Sequence, residues 1–288
     1  MTENIEYKMN NLPIIRRKRI LVFDVETTGL IPNIDPLTKK QRPLEEMPFI
    51  IQLSFIVFNL YEYSIERTYN AYISIKEPEK ITEEITNLTG ITQEKCRTCG
   101  IPMKDALLEF YNEYIQSDYV IAHNINFDRR MIMIEVERNY LELENKAKDI
   151  LNLFNPLFCK LKGIENYCTM LSSIHICNIM IEKKVNIKPV DKIPVVETII
   201  SLSDNQTTDP IIPNDVVKIK IISPPKMYKK FPKLTELYFC LFQSHPENLH
   251  NALVDTLVCL RCFLKIKLNH EIHYKKYNHM LNSVMKIV

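Results

Sequence analysis

The sequence predicts an α/β domain, a mixed central β-sheet flanked by helices, with a β- and loop-rich insertion late in the chain. Three observations predict it. Apolar, β-branched runs dominate the first quarter, and helical apolar periods close the chain. Between them, the short run YVIA at 119–122 leads directly into a helical pattern, the crossover expected where strands pair in parallel.

Residues 1–15 are polar and irregular and read as a flexible tail. Arg16, Arg17, Lys18 and Arg19 then lead into the apolar residues 20–23, the start of a first strand. FIIQLSFIVF at 49–58 is rich in β-branched and aromatic residues, and TYNAYISI at 68–75 alternates apolar with polar, giving strands two and three. The connection at 31–48 holds four prolines and is long for a hairpin. Thr82 is placed to cap a short helix, with Glu83 and Glu84 at its positive end and Gly90 beyond its close. Ala106, Leu107, Phe110, Tyr111 and Tyr114 form one face of a helix starting near Pro102. After the strand at 119–122, a further helix is predicted from Phe127 to about Tyr140.

From about 183 to 228 the texture turns to isoleucine, valine and proline without a helical period, which reads as an insertion of extended segments and loops. Helical periods resume at Leu234 and again over 249–264, and residues 269–288 are read as a C-terminal helical tail. The main domain is thus expected over 16–268.

The composition excludes several classes. With 288 residues and 46% hydrophobic content the chain can bury a substantial core. No apolar run approaches a membrane span and the N-terminus lacks the apolar centre of a signal peptide, so an intracellular protein is expected. The 37 basic and 35 acidic side chains nearly cancel, so contact with a polyanion must come from local clusters. Eight cysteines are too few for a disulfide scaffold. Cys96/Cys99 and Cys259/Cys262 have the spacing of half a zinc ribbon each, but i,i+3 cysteines on a helix more often pack as small apolar residues. Cys168 is read as core for the same reason.

Chemistry concentrates in three places. In LVFDVETTGL (21–30), Asp24 and Glu26 end an apolar strand and share one of its faces, about 6 to 7 Å apart along the chain. A lone D-x-E is usually two solvated carboxylates. At the end of an apolar strand, before the turn residues Thr27, Thr28 and Gly29, it becomes a place for a hard divalent cation. In IAHNINFDRR (121–130), Asp128 falls near the start of a helix, where it could simply stabilise the helix dipole. His123 and Asn124 are read as satisfying the turn backbone. In LHNALVDTLVCL (249–260), His250 and Asp255 are five positions apart, roughly 140° around a helix, which suits a histidine in the loop or first turn reaching round toward Asp255.

DVETTGL, AHNxxFD and HNALVD, in that order, resemble the three motifs of the DEDD superfamily of 3′→5′ exonucleases, in the branch with a histidine in the third motif. That branch includes epsilon-type proofreading domains, three-prime repair exonucleases and ribonuclease T. LTGIT (88–92), YCTM (167–170) and PKLTELY (232–238) support the resemblance, which covers 20–265 with one interruption at 183–228. It implies a ribonuclease H-like fold with Asp24, Glu26, Asp128 and Asp255 holding two Mg²⁺ or Mn²⁺ ions. Asp24 would bridge the ions, Glu26 and Asp255 would serve the nucleophile side, and Asp128 the other. His250 would be the general base. The backbone at Thr27 and Thr28, the side chain of Leu30, and Asn124 become candidates for gripping the terminal nucleotide.

Lys226, Lys229, Lys230 and Lys233, interleaved with Tyr228 and Phe231, combine phosphate-pairing charge with stacking rings; Lys229 and Lys230 are taken as substrate contacts. The expected partners are DNA 3′ ends, single-stranded or frayed, and a DNA polymerase or replication complex. RNA 3′ ends are the alternative substrate, decided by tolerance of a 2′-hydroxyl. A non-catalytic nuclease-fold binding module is the rival from another class, disfavoured because all five chemical positions are intact. The insertion could be a flap over the cleft, a polymerase-docking surface or a passive elaboration.

Overall fold

The computed structural model describes residues 18–34, 38, 40, 42–75, 79–182, 227–246 and 251–287. The tail at 1–15, Arg16, Arg17, residues 183–226 with Lys226, and His250 lie outside the described residues. The chain divides into two compact units, Met1–Cys177 with Phe231–Val288, and Asn178–Lys230.

The first unit is built on a five-stranded sheet in the order β3-β2-β1-β4-β5. Its strands are β1 (Arg19–Thr27), β2 (Ile50–Asn59), β3 (Ser64–Tyr72), β4 (Tyr119–Ala122) and β5 (Glu165–Cys168). β1 pairs antiparallel with β2 and β2 with β3, whereas β1–β4 and β4–β5 are parallel, so the sheet is mixed as the sequence predicts. All ten residues of β2 are buried, which is why its run is continuously apolar rather than alternating. β3 starts four residues before the predicted run, its pairing extending back to Ser64. β5 went unpredicted because ENYC at the sheet edge is largely exposed and carries no apolar pattern.

The helices are α1 (Glu83–Thr89), α2 (Gln93–Cys99), α3 (Met103–Tyr114), α4 (Ile125–Arg138), α5 (Tyr140–Leu143), α6 (Pro156–Lys162), α7 (Thr169–Cys177), α8 (Leu234–Phe242), α9 (Ala252–Leu268) and α10 (Tyr274–Met285). Thr82 caps α1 by accepting from the Ile85 N–H, and Gly90 closes it at φ 71°, a left-handed position that suits glycine. β1 alternates between two cores. Leu21, Phe23 and Val25 join Ala106, Leu107 and Phe110 of α3 and Met131 and Ile132 of α4. Ile20 and Val22 join α9, with Leu237 and Tyr238 of α8 and Tyr277, Met280 and Val284 of α10. Arg261 of α9 is buried among the rings of Tyr238, Phe242 and Tyr277, joining the three C-terminal helices through cation–π contacts.

The second unit contains β6 (Met180–Glu182) paired antiparallel with β7 (Met227–Lys229). Lys229 and Lys230 belong to it. Among the described residues, no helix is long and apolar enough to cross a membrane.

Candidate active site

Asp24 and Glu26 extend the face of β1 that Ile20 and Val22 bury against α9, and α9 supplies the third carboxylate. Asn251 caps α9 by accepting from the Leu253 N–H, which sets Asp255 in the first turn. One ligand atom from each of Asp24, Glu26 and Asp255 lies within 4.8 Å of the others. The fourth acid arrives from the opposite layer. β4 ends at Ala122 and its pairing with β1 ends at Val22, so β1 runs on without a ladder partner on that side. Asp128, in the first turn of α4, fills the gap: its Oδ1 accepts the Val25 N–H at 3.3 Å, between Asp24 and Glu26. Both Asp128 and Asp255 stand at positive helix ends, which offsets part of the repulsion.

α4 begins at Ile125, two residues before the sequence prediction, because Asn124 takes a left-handed conformation (φ 69°, ψ 46°) that asparagine tolerates. The earlier start keeps Asp128 within the first turn. Next to it, His123 does not serve its own turn as the sequence reading held. Its Nε2 lies 3.0 Å from the Pro232 carbonyl and its Nδ1 3.0 Å from the Thr169 hydroxyl, tying β4 to α7 and to the entry of α8. A carbonyl can only accept, so Nε2 carries the proton and Nδ1 accepts from Thr169.

Burial, then the charges of Asp128, Asp255 and Glu26, hold Asp24 well above the usual carboxylate range. Burial, then Asp255 and Asp128, push Glu26 up to about 8. Burial raises Asp128 to about 7, against the lowering effect of hydrogen bonds from its own N–H and that of Val25. Among the described residues, no Lys or Arg side chain pairs with Asp24, Glu26 or Asp128. Clustered, mutually repelling, all-oxygen donors suit a hard divalent cation far better than they suit one another.

The turn after β1 is internally bonded. Thr27 Oγ1 donates to the Gly29 carbonyl at 2.7 Å. The Thr28 N–H donates to the Phe49 carbonyl and its Oγ1 accepts the Phe49 N–H, each at 2.9 Å. Leu30 beyond it is exposed. The register shift between Glu26 and Thr27 leaves Ile51 of β2 as the extra residue, the kind of irregularity that re-aims side chains at active sites. Sequence reasoning missed the support behind this turn: Glu135 and Arg138 of α4, which bind the 44–50 segment. Their helical spacing from Asp128 was the available signal. Cys96 is buried and Cys99 exposed, while Cys168, Cys259 and Cys262 are core; among the described residues no cysteine joins a metal-ligating group.

A mixed sheet whose strand ends gather four carboxylates from both helical layers defines a class, the ribonuclease H-like nucleases. The sequence profile described as Exonuclease, that of ribonuclease T, matches residues 21–185, more than half of the chain. The chain belongs to this exonuclease family, within the DEDD superfamily. It is 30% identical over 143 residues to a DNA polymerase III of PolC type from Caldanaerobacter subterraneus, covering 50% of this chain and 9% of the relative. The corresponding polymerase of Ureaplasma parvum is 33% identical over 133 residues, covering 46% and 8%. The chain therefore spans less than a tenth of the curated relatives it matches. E. coli Exonuclease I solved with a dT13 oligonucleotide shares the fold, with a TM-score of 0.51 at 12% identity, over 92% of this chain and 44% of that one.

Proposed function

We propose that the chain is a metal-dependent 3′→5′ exonuclease that hydrolyses the terminal phosphodiester of DNA and releases 5′-mononucleotides. The observation that carries this reading is the convergence of Asp24, Glu26 and Asp255 within 4.8 Å, with Asp128 bonded between the first two. Asp24, Glu26, Asp128 and Asp255 would hold two Mg²⁺ or Mn²⁺ ions, which when bound neutralise charge on the attacking and leaving oxygens of an in-line displacement. Asp24 would be shared by both ions, Glu26 and Asp255 would serve the nucleophile side, and Asp128 the leaving-group side. His250 accepts the proton of the attacking water, a role a neutral imidazole can fill near neutral pH. The backbone at Thr27 and Thr28, the Leu30 side chain and Asn124 meet the terminal nucleotide, with the hydroxyls of the two threonines holding the turn. Lys229 and Lys230 pair with phosphates further along the strand.

The polymerase identity of the relatives supports DNA as substrate and a polymerase as partner. The test compares wild type, Asp24→Ala and His250→Ala on labelled single-stranded DNA, mismatched duplex and RNA, with Mg²⁺ and with chelator. DNA should be shortened from its 3′ end by wild type with Mg²⁺ alone. Activity surviving chelator or the Asp24 change would overturn the mechanism, and preferred turnover of RNA would overturn the substrate.

A further inference from the structure

Two polar side chains interrupt the apolar run of β2, and both lie beside the carboxylates. Gln52 is paired with Glu26 and Ser54 with Asp24, directly across the antiparallel ladder. Residues paired in this way share a face of the sheet, with Cβ atoms about 4.5 to 5.5 Å apart. Ile56 and Phe58, next along the same face of β2, pack with Ile20 and Val22 against α9, which fixes the direction. Gln52 and Ser54 are buried there, where a polar group without a partner costs free energy.

Both find a partner in Asn70 of β3, which lies opposite Ser54. Its Oδ1 accepts from Gln52 Nε2 and from Ser54 Oγ, each at 2.7 Å. Two neighbouring acceptors are left over. Gln52 Oε1 is buried without a donor, and among the described residues nothing donates a hydrogen bond to the Glu26 carboxylate across the ladder. A side-chain amide carries donor and acceptor on opposite prongs, so a half-turn of both amides gives a second arrangement that serves both. Asn70 Nδ2 then donates to Gln52 Oε1 and to Ser54 Oγ. Gln52 Nε2, in the place of the orphaned oxygen, has its protons for Glu26.

We infer that Gln52 is a positioning residue of the carboxylate site: oriented by Asn70, its Nε2 donates to Glu26 and holds that carboxylate in the orientation that receives a divalent cation. This rests on the exonuclease reading and deepens it, because the outer partners of metal-ligating groups set affinity as well as geometry. A neutral amide suits the position. It satisfies one oxygen of Glu26 without adding a positive charge that would compete with the cation for the carboxylate.

The experiment compares the full chain as wild type and as Gln52→Met, which keeps the length of the side chain but cannot donate. Mn²⁺ binding is measured by titration calorimetry without substrate, and hydrolysis of a single-stranded oligonucleotide is followed across a series of Mg²⁺ concentrations. The variant should bind Mn²⁺ about tenfold more weakly, the effect expected of losing a group that orients a metal ligand. Its Mg²⁺ requirement should rise by a similar factor, while kcat at saturating Mg²⁺ returns toward the wild-type value. A folded variant with wild-type Mn²⁺ affinity would overturn the assignment and leave Gln52 as core filling. Should the variant not fold, wild type decides: the ¹⁵N and ¹H signals of the Gln52 side-chain amide should shift on addition of Mg²⁺, and unmoved signals would overturn it. Wild type that neither binds Mn²⁺ nor shortens DNA would instead overturn the exonuclease reading.

Discussion

Glu135 and Arg138, three residues apart on α4, form a largely buried ion pair at 2.8 Å whose outer ends both bind the strip of backbone beside the turn after β1. Glu135 Oε1 accepts the Ile50 N–H at 3.1 Å, next to the bulge, where regular pairing with β1 is disturbed. Arg138 donates to the carbonyls of Leu44, Met47 and Pro48 and lies 3.7 Å above the Phe49 ring. Phe49 in turn holds Thr28 through two hydrogen bonds. The helix that delivers Asp128 therefore also fixes the turn that follows Glu26.

Removing one partner leaves the other charge buried, so Glu135→Ala should cost about 3 to 5 kcal/mol of stability. Glu135→Gln, which keeps an acceptor for Ile50, should cost less. Urea denaturation of the two variants measures the difference, and equal losses would show that the acceptor retained for Ile50 contributes nothing.

The carboxylate cluster gives the metal-free protein a pH dependence of definite sign. Glu26 at about 8 and Asp128 at about 7 keep protons in the fold that the unfolded chain releases near pH 4. The folded state then binds more protons than the unfolded one, so stability present in full below about pH 4 is lost as pH rises to 8. In chelator the melting temperature should fall between pH 5 and 8.5, and Mn²⁺ should restore it at the upper end while releasing protons. A flat profile in chelator would contradict the assignment.

Relief of that repulsion should also be visible in a variant. Asp24→Asn removes the most crowded charge, whose burial and three acidic neighbours raise it well above the ordinary range. The metal-free fold should gain about 1 to 2 kcal/mol at pH 8, while hydrolysis falls by at least about 10³-fold, the trade expected where a site is held at a cost to stability. Thermal melts in chelator beside single-strand degradation test both halves; a less stable variant would mean that Asp24 is structurally supported in the absence of metal.

The strands and helices with strong periods were legible. β1, β2, α3 and α9 lie where their apolar patterns place them, and the Thr82 and Gly90 signals mark the ends of α1. Asp24 and Glu26 were legible as a pair because strand geometry puts them on one face, while Asp255 was joined to them by the resemblance of its motif. Asp128 was legible as a position but not as a contact, since its bond to the Val25 N–H depends on how far β4 extends. β5 and the early start of α4 were hidden: one is a polar edge strand, and the other turns on the backbone of a single asparagine. The roles of Glu135 and His123 lie in partners 85 and 109 residues away, which no local pattern announces.

Two histidines flank the site in sequence, and only one should govern the pH profile. His123 is buried, with its Nε2 proton given to the Pro232 carbonyl and its Nδ1 accepting from Thr169. Burial, only partly offset by that carbonyl, lowers its pKa to about 4. A lowered histidine contributes stability above the unfolded value of about 6.5 and loses it as pH falls toward 4, so it stays neutral throughout the working range. His123→Ala should cost about 1 to 3 kcal/mol by orphaning a buried hydroxyl and a carbonyl, yet leave the acid limb of the kcat/KM profile in place. His250→Ala should remove that limb. Imidazole ¹⁵N shifts provide the direct check: His123 should hold the Nε2–H tautomer from pH 8 down to about 5, and titration near 6.5 would mean that its two partners do not hold it neutral.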